Sequence, residues 1–373
     1  MKILHIITSF GEGGAQAILS NYCKLGKEKH QLFLISLSSD DVYSKKFKSL
    51  GINTFILPLS LNFKSFINLL KLFFIILKFN PDIIQSWLYH ADLIASLYGF
   101  FLNKKVIWSI HNSDLPSSSL SISLKIIIKL NAFLSYFSPE IIICCANSAK
   151  NYHNRLKYCK RKLKVIFNGY PFDYFKPSEN TRQIIRKKLD IGNDEIFFGM
   201  IARYHPVKGH KIFLNAISKA LSKNSKIKVI MIGSNVDENN KELSDLIKKL
   251  ELSKIIKLNG SVSNIACYLQ ALDFCVLPSY SEGFPNVIVE SMACGVPTIA
   301  SDVGDVRTII DGNGWLVEPG NIKSLSEAIE ECSFIPIDER TKIGLKCYET
   351  VNDRFSLRKM YLEYEKIYQM FND

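Results

Sequence analysis

Two glutamates, Glu282 and Glu290, lie eight positions apart and are the first candidates for a functional site. A buried strand is predicted over 274–277, Pro285 fits the first position of a helix, and Gly295 fits its end. Glu282 then lies in the loop before that helix, and Glu290 lies about one and a half turns inside it. Carboxylates at these two depths could accept hydrogen bonds from a transferred sugar and from a ribose. The alternative is a helix-capping glutamate and a solvated one.

A pair of cations forms the second candidate group. Arg203 follows a predicted strand directly, and Lys208, five residues later, is predicted to open the next helix. Fixed cations beside a helix N-terminus suit a pyrophosphate. Ordinary surface charge is the competing explanation.

A glycine-rich loop, Ser9–Gln16, follows the first predicted strand and contains Gly13 and Gly14. Glycines allow close backbone approach to a ligand, and the following helix would offer free N–H groups to an anion. The loop is a poor G-x-G-x-x-G, and no acidic residue follows a plausible second strand as that motif requires. A tight turn without a ligand is therefore equally compatible with it.

These loops need parallel strands to position them, and strand-like and helix-like segments alternate along the whole chain. This alternation predicts an α/β fold with parallel sheets covered by helices on both faces. The boundary between two series of strands is predicted at 168–180, and an amphipathic stretch at 356–370 must dock on something already formed. The predicted strands are 2–8, 31–37, 52–57, 82–87, 105–110, 140–145 and 163–167, then 196–202, 227–233, 255–259, 273–278, 297–301 and 314–317.

Bulk properties narrow the classes of protein and partner. The 373 residues suggest two domains, and the net charge of +12 favours anionic partners: nucleotides, phospholipid surfaces, pyrophosphate-linked lipids or nucleic acid. Nine cysteines without a C-x-x-C pair predict reduced, buried thiols in a cytoplasmic protein. The sequence contains no run of about 18 uncharged apolar residues, so we expect no membrane-spanning helix.

The segment from Glu282 to Glu290 resembles the E-x7-E signature of retaining glycosyltransferases of the GT-B fold, in particular glycosyltransferase family 4. Its flanks, 277–279 and 291–300, and the later stretches 303–305 and 313–320 are similar to the family as well. The Arg203–Lys208 pair, Asn168-Gly169 and Gly13-Gly14 also look like family features. The resemblance covers nearly the whole chain and is densest over 199–320.

The resemblance implies a GT-B fold of two Rossmann-like domains that face each other across a cleft. The N-terminal, acceptor-side domain would be 1–170, joined by a C-terminal helix (356–373) that crosses back to it, and the nucleotide-sugar domain would be 181–355. The implied reaction moves a sugar from a nucleoside diphosphate sugar, most simply a UDP-sugar, to a hydroxyl with retention of configuration. The implied setting is O-antigen, capsule or exopolysaccharide assembly on a lipid carrier. Separately, the basic and apolar segments described below predict a cytoplasmic protein that is peripheral at the inner face of the plasma membrane.

The resemblance also assigns roles to individual residues. Arg203 and Lys208 would stabilise the leaving diphosphate, Glu282 would orient the sugar, Glu290 would hold the ribose, and His111 would bind a sugar hydroxyl. His90 and Asp92 follow another predicted strand and could face the acceptor. The remaining donor-binding candidates are Gly13, Gly14, Gly233, Val262, Gly283, Phe284, Pro285, Asn286 and Val287.

No Asp-x-Asp motif, the metal-binding pair of the other main transferase fold, occurs in the chain, so we expect no metal requirement and no cofactor. A UDP-sugar epimerase of the same fold remains an alternative. A basic nucleic-acid-binding protein is a second alternative, but neither a recognition motif nor interleaved aromatics support it.

Three lysines, Lys64, Lys71 and Lys78, recur every seven residues in an otherwise apolar segment and would form one stripe on a helix. A second apolar segment, 120–137, and a basic cluster at 157–164 follow. Peripheral docking on anionic lipid is one interpretation. A buried helix with solvated lysines is the other.

Overall fold

The computed structural model describes residues 1–59, 63–112 and 121–371. The chain divides into two compact units. The N-terminal unit comprises Met1–Tyr170 with Phe355–Asp373, and the C-terminal unit comprises Pro171–Arg354. The predicted boundaries were 1–170 with 356–373, and 181–355.

The described part of the N-terminal unit forms a seven-stranded parallel sheet in the order β3-β2-β1-β4-β5-β6-β7. β1 lies between β2 and β4, with Ile3 opposite Leu32 on one side and Ile83 on the other. Every residue of β4 is buried, as expected for a parallel strand covered on both faces. The strands are β1 (Lys2–Ile7), β2 (Gln31–Ser36), β3 (Asn53–Ile56), β4 (Ile83–Trp87), β5 (Lys105–Ile110), β6 (Ile141–Cys144) and β7 (Leu163–Val165).

Helices connect these strands in the alternation that a parallel sheet requires. Asn103 ends one of them in the left-handed conformation, with φ of 49°. The helices are α1 (Gly14–Gly26), α2 (Ser44–Ser49), α3 (Phe63–Phe79), α4 (Tyr89–Leu102), α5 (Ile122–Leu134) and α6 (Asn147–Arg155). No described helix is both long enough and apolar enough to cross a bilayer.

Over its described residues, the C-terminal unit has a six-stranded parallel sheet in the order β10-β9-β8-β11-β12-β13. The strands are β8 (Ile196–Ile201), β9 (Ile227–Ile232), β10 (Ile256–Leu258), β11 (Phe274–Leu277), β12 (Thr298–Ser301) and β13 (Gly314–Val317). The helices are α7 (Glu179–Lys188), α8 (His210–Leu221), α9 (Lys241–Lys249), α10 (Ile265–Ala271), α11 (Asn286–Ala293), α12 (Val306–Ile310), α13 (Ile322–Ser333) and α14 (Ile337–Phe355).

The final helix, α15 (Leu357–Gln369), packs on α1 of the N-terminal unit, as the family resemblance implies. The ring of Tyr22 in α1 lies 5.4 Å from that of Tyr364 and 6.0 Å from that of Tyr368. His30 Nε2 lies 2.6 Å from Glu365 Oε1, both side chains being buried. Lys29 also pairs with Glu365 at 2.7 Å. Aromatic burial together with these polar contacts therefore fixes the end of the chain to this unit.

All thirteen predicted strands are confirmed, and no end differs by more than two residues. Two local predictions need correction. Pro285 is the N-cap of α11 rather than its first residue, with φ of −77° and ψ of 98°. Lys208 lies in a short 3₁₀ turn, Pro206–Lys208, because the left-handed Gly209 separates it from α8.

Candidate donor-binding site

The predicted site residues of the C-terminal unit follow the carboxyl ends of neighbouring strands. Arg203 and Lys208 follow β8, and Glu282 follows β11, which is hydrogen-bonded to β8. The order of the strands reverses between β8 and β11, because β9 lies on the other side of β8. Such a switch point is where open α/β sheets bind ligands.

Lys208 and Glu282 are in direct contact although they are far apart in the sequence. Lys208 Nζ lies 2.7 Å from Glu282 Oε1, and Ser279 Oγ donates to the same oxygen at 2.6 Å. The Glu282 side chain is 10% exposed and that of Lys208 is 24% exposed. No described residue bonds to Glu282 Oε2, so that oxygen can accept a hydrogen bond from a ligand hydroxyl.

The two loops that carry this pair are held together by their backbones. Tyr280 N donates to Val207 O at 2.8 Å. Gly209 has φ of 75°, and a Cβ at this position would lie 2.1 Å from Pro278 O. Only glycine tolerates both this conformation and this approach. The positions of the cation and the carboxylate therefore depend on Gly209, which the sequence analysis did not select as a site residue.

Arg203 is exposed, and the described residues give it no ion-pair partner. Gly233, at the end of β9, lies against the same loop, since a Cβ there would meet Ala202 O at 2.1 Å and Arg203 N at 2.9 Å. Tyr204 N donates to Ser234 O at 2.8 Å. Gly233 thus permits the close approach that places Arg203, and its contact with a donor stays a prediction.

Glu290 lies in the second turn of α11 and is partly buried. Desolvation raises the pKa of its carboxyl group to about 7. Its carboxyl group makes no hydrogen bond or ion pair with a described residue. A desolvated carboxylate without a partner is suited to accept hydrogen bonds from a vicinal diol such as a ribose.

We expect the affinity for UDP to depend on the ionisation of Glu290. If two ribose hydroxyls donate to the carboxylate, binding favours its charged form, so UDP should bind about tenfold more tightly at pH 8 than at pH 6. Titration calorimetry at both pH values measures this. Glu290→Gln is the control, because it removes this titration and leaves that of the UDP phosphates. An equal pH dependence of the two proteins would contradict the assignment.

The same group affects folding in the opposite direction. Its pKa in the folded protein, about 7, exceeds the ordinary value of 4.5. The folded state therefore binds more protons between these values, and the ligand-free protein loses stability as the pH rises from about 4.5 to 7.

The turn that contains Gly283 is supported from the loop after β12. Asp305 N donates to Gly283 O at 3.0 Å. Gly304 has φ of 56°, and a Cβ there would lie 2.1 Å from Glu282 O. Gly304 and Ser279 are thus positioning residues that were not predicted individually. Their signal in the sequence was that both lie within three residues of a predicted strand's end, in the stretches 277–279 and 303–305 that resemble the family.

The other predicted donor-binding residues of this unit lie around the start of α11 and after β10. Gly283 and Phe284 are partly buried, and Asn286 is exposed. Val262 and Val287 pack on an apolar cluster that includes Ile232. These placements are compatible with donor binding, which remains a prediction for all of them.

In the N-terminal unit, His111 follows β5 and stacks on Trp87. The ring centroids are 5.1 Å apart, and the planes are inclined by 18°. Burial lowers the pKa of His111 to about 4, so its imidazole is neutral at pH 7. Trp87 is itself fixed, because its indole N–H donates to His5 Nδ1 at 3.2 Å. The neutral ring offers one donor and one acceptor to a hydroxyl.

The glycine loop of this unit is exposed at Gly13 and Gly14, where α1 begins without a side-chain cap. A Cβ at Gly14 would meet nothing within 4 Å, and one at Gly13 would meet the flexible end of Gln16. Packing does not demand glycine at position 14. The open space is what close approach of a ligand to the helix start would need.

The prediction that Asp92 faces the acceptor is wrong. Its side chain is completely buried in the first turn of α4, where Ser86 Oγ donates to it at 2.6 Å. Burial raises its pKa well above the usual range. His90 is exposed, so its acceptor-side role stays a prediction. Leu88, which joins the end of β4 to α4, has φ of 74°, a strained backbone that sequence reasoning missed.

The comparison with protein families divides the chain in the same way. The family model for glycosyltransferase family 4 matches residues 13–174, and that for glycosyl transferases group 1 matches residues 181–344. These two ranges contain every predicted site residue.

Similar proteins cover most of the chain. The O-antigen biosynthesis glycosyltransferase WclY of Escherichia coli is 26% identical over 99% of this chain and 98% of its own. An uncharacterized glycosyltransferase of Methanocaldococcus jannaschii is 30% identical over 79% of this chain and 80% of its own. Among solved structures, HepE of Anabaena in complex with UDP has a TM-score of 0.85 and 20% identity, covering 99% of this chain and 100% of that one. The chain belongs to glycosyltransferase family 4 and has the GT-B fold of two parallel-sheet, Rossmann-like halves.

Proposed function

We propose that this protein is a retaining glycosyltransferase that transfers a sugar from a UDP-sugar to a hydroxyl group of a lipid-linked glycan. The observation that carries the proposal is the contact of 2.7 Å between Lys208 and Glu282, with Arg203 on the same loop as the lysine. Cations and a carboxylate at adjoining strand ends suit a ligand with a diphosphate and a polyhydroxylated ring. HepE, whose fold is the same, binds UDP, which supports the choice of nucleotide.

The diphosphate is the leaving group, and its developing charge has to be neutralised. Arg203 has no carboxylate partner among the described residues, and Lys208 can share its three donors between Glu282 and a phosphate. We assign both cations to this electrostatic task, which a divalent metal performs in other transferases. The transfer is therefore proposed to proceed without a metal.

Glu282 is assigned to orienting the sugar rather than to attacking it. Its Oε1 accepts from both Lys208 and Ser279, which lowers its nucleophilicity and fixes its direction. Oε2 then accepts from a sugar hydroxyl. We assign no protein nucleophile, and a reaction on one face of the sugar, with leaving-group oxygen assisting the acceptor, retains the configuration.

The N-terminal unit is proposed to contribute His111, Gly13 and Gly14 to donor binding. The neutral imidazole of His111 hydrogen-bonds a sugar hydroxyl without adding charge. The acceptor is proposed to be a growing O-antigen, capsule or exopolysaccharide unit, which WclY, an O-antigen biosynthesis enzyme similar over nearly the whole chain, supports.

A donor screen by nucleotide release tests the proposal. The purified protein is incubated with a panel of UDP-, GDP- and dTDP-sugars and lipid-linked acceptors, and we expect release of UDP from one donor. NMR of the product should show the anomeric configuration of the donor, and EDTA should leave the rate unchanged. An inverted product or loss of activity in EDTA would refute the corresponding part.

The same assay distinguishes the alternative enzyme. An epimerase acts on the free UDP-sugar, so NMR of the donor alone would reveal an epimerised sugar. Transfer that requires acceptor, without epimerised donor, is the expected result.

A further inference from the structure

Three neighbouring helices of the N-terminal unit leave a large apolar surface exposed. The inner side of α3 packs on the unit through Leu72, Ile76 and Phe79, yet its outer side is apolar as well. The exposed apolar side chains are Phe63, Phe66, Ile67, Leu70, Phe74 and Leu77 of α3, Leu97, Phe100 and Phe101 of α4, Ile122, Ile126, Leu130 and Phe133 of α5, and Tyr136 and Phe137 after it. We call this set the aromatic face.

The three helices that carry the aromatic face are in contact with one another. Tyr98 of α4 donates from its hydroxyl to Leu69 O of α3 at 2.8 Å, and Asn131 of α5 donates to Tyr89 O of α4 at 2.8 Å. Between α4 and α5 lies a groove of about 600 Å³, bordered by the apolar side chains of Phe100, Phe101 and Phe137 and by polar ones that include Lys104 and Glu140. Glu140 is paired with Lys105 at 3.5 Å. A monomeric soluble protein rarely exposes an apolar surface of this extent.

The charges on these helices have one sign. α3 carries Lys64, Lys71 and Lys78, and α5 carries Lys125 and Lys129. Neither helix contains an aspartate or glutamate, and the one acidic residue of α4 is the fully buried Asp92. The face therefore combines apolar side chains with cations and exposes no carboxylate from these helices.

A cation borders the face just after α5. Lys162, one of the basic residues in 157–164, donates from Nζ to Tyr136 O at 3.1 Å and so lies directly beside the exposed Tyr136 and Phe137. Aromatic side chains next to lysines form the combination that enters the interface of a bilayer.

We propose that the aromatic face docks on the surface of an anionic lipid bilayer, with α3 and α5 lying along it and Phe100, Phe101 and Phe137 inserted among the acyl chains. Charge complementarity favours a lipid surface over a second copy of this chain as the partner of the face. In a symmetric dimer the same face occurs on both sides, so lysines would meet lysines without a carboxylate from α3, α4 or α5. Anionic headgroups provide the missing negative charge.

Vesicle flotation of the full chain tests this proposal without donor or acceptor. Wild-type protein should float with vesicles of phosphatidylcholine and phosphatidylglycerol and stay at the bottom with phosphatidylcholine alone. Binding should weaken at 1 M NaCl, where screening is stronger. A wild-type protein that floats with neither vesicle, or equally with both, overturns the proposal.

Two variants separate the apolar and the charged contributions. Phe100→Ser combined with Phe101→Ser should reduce partitioning at least about tenfold, and Lys64→Glu, Lys71→Glu and Lys78→Glu together should abolish flotation. Matched controls are Phe334→Ser, whose side chain is 62% exposed in the C-terminal unit, and Lys187→Glu with Lys188→Glu. Equal flotation of variants and wild type at unchanged thermal midpoint refutes the proposal.

Sedimentation velocity without lipid tests the alternative that the aromatic face mediates self-association. A wild-type dimer that the Phe100→Ser, Phe101→Ser variant converts to monomers, together with no flotation, would assign the face to self-association instead. The inference goes beyond the proposed transfer reaction, and flotation needs no turnover. Failure of the donor screen would therefore leave it standing, and failure of flotation would leave the transferase proposal standing.

Discussion

Lys208→Ala should reduce kcat roughly 10²- to 10³-fold, because it removes a preorganised cation from the leaving diphosphate. Glu282→Gln should also lower kcat strongly, since Lys208 then loses the carboxylate that holds its ammonium group at 2.7 Å. Steady-state kinetics with the donor found in the screen measures both effects. Thermal midpoints of both variants are measured alongside, so that kcat is compared per folded molecule.

The control for this prediction lies one turn away in the same region. Lys211 of α8 pairs with Glu242 at 2.6 Å, and its side chain is 65% exposed. Lys211→Ala removes the same charge from the protein without altering the contact to Glu282, so it should retain activity within about twofold. Comparable losses in Lys208→Ala and Lys211→Ala would show that only net charge matters and would contradict the site.

A variant that combines Lys208→Ala with Glu282→Gln tests whether the two side chains act as one unit. If Lys208 acts through its contact with Glu282, the losses of the two single variants should be far from additive in the double variant. Additive losses would assign the two side chains to independent tasks.

Asp273→Ala should destabilise the C-terminal unit by about 3–5 kcal/mol, because it leaves buried cations without their counter-charge. The Asp273 carboxylate is 3% exposed and contacts Arg182 at 2.7 Å, Arg186 at 3.1 Å and Arg340 at 2.5 Å. It also accepts from Phe197 N at 2.7 Å. Urea unfolding followed by circular dichroism measures the loss.

A matched acidic residue provides the comparison. Asp194 is 74% exposed and pairs with Lys226 at 3.5 Å, so Asp194→Ala should cost about 0.5 kcal/mol or less. Asp273 lies at the start of β11, whereas Glu282 follows its other end. The Asp273→Ala protein should therefore keep its kcat per folded molecule at low temperature, and a kcat loss like that of Lys208→Ala would contradict a purely structural role.

The strands and the site loops could be predicted from the sequence because their signals are local. Short apolar runs bounded by glycine and proline indicate buried strands, and all thirteen were found within two residues of their ends. The loops after these strands carry Arg203, Lys208 and Glu282, so their place at the strand ends followed directly. The resemblance to family 4 added the roles, which local patterns do not contain.

The prediction for Asp92 failed for a physical reason. A carboxylate in the first turn of a helix after a strand is usually expected to be exposed, because such a turn usually faces solvent. In the structure the Asp92 side chain is buried and accepts a hydrogen bond from Ser86, and burial raises its pKa. Direction within a helix turn depends on how α4 lies over β4 and β5, which neighbouring residues in the sequence do not specify.

Local sequence was enough to locate the strands, the helices and the charged loops, since these follow from residue types within a few positions of each other. The contact between Lys208 and Glu282 required the folded chain, because β11 pairs with β8 although 74 residues separate the two side chains. The fold also leaves Glu290 desolvated and the outer side of α3 uncovered. Pairing and burial are properties of what packs against a residue, and for these residues the packing partners are distant along the chain.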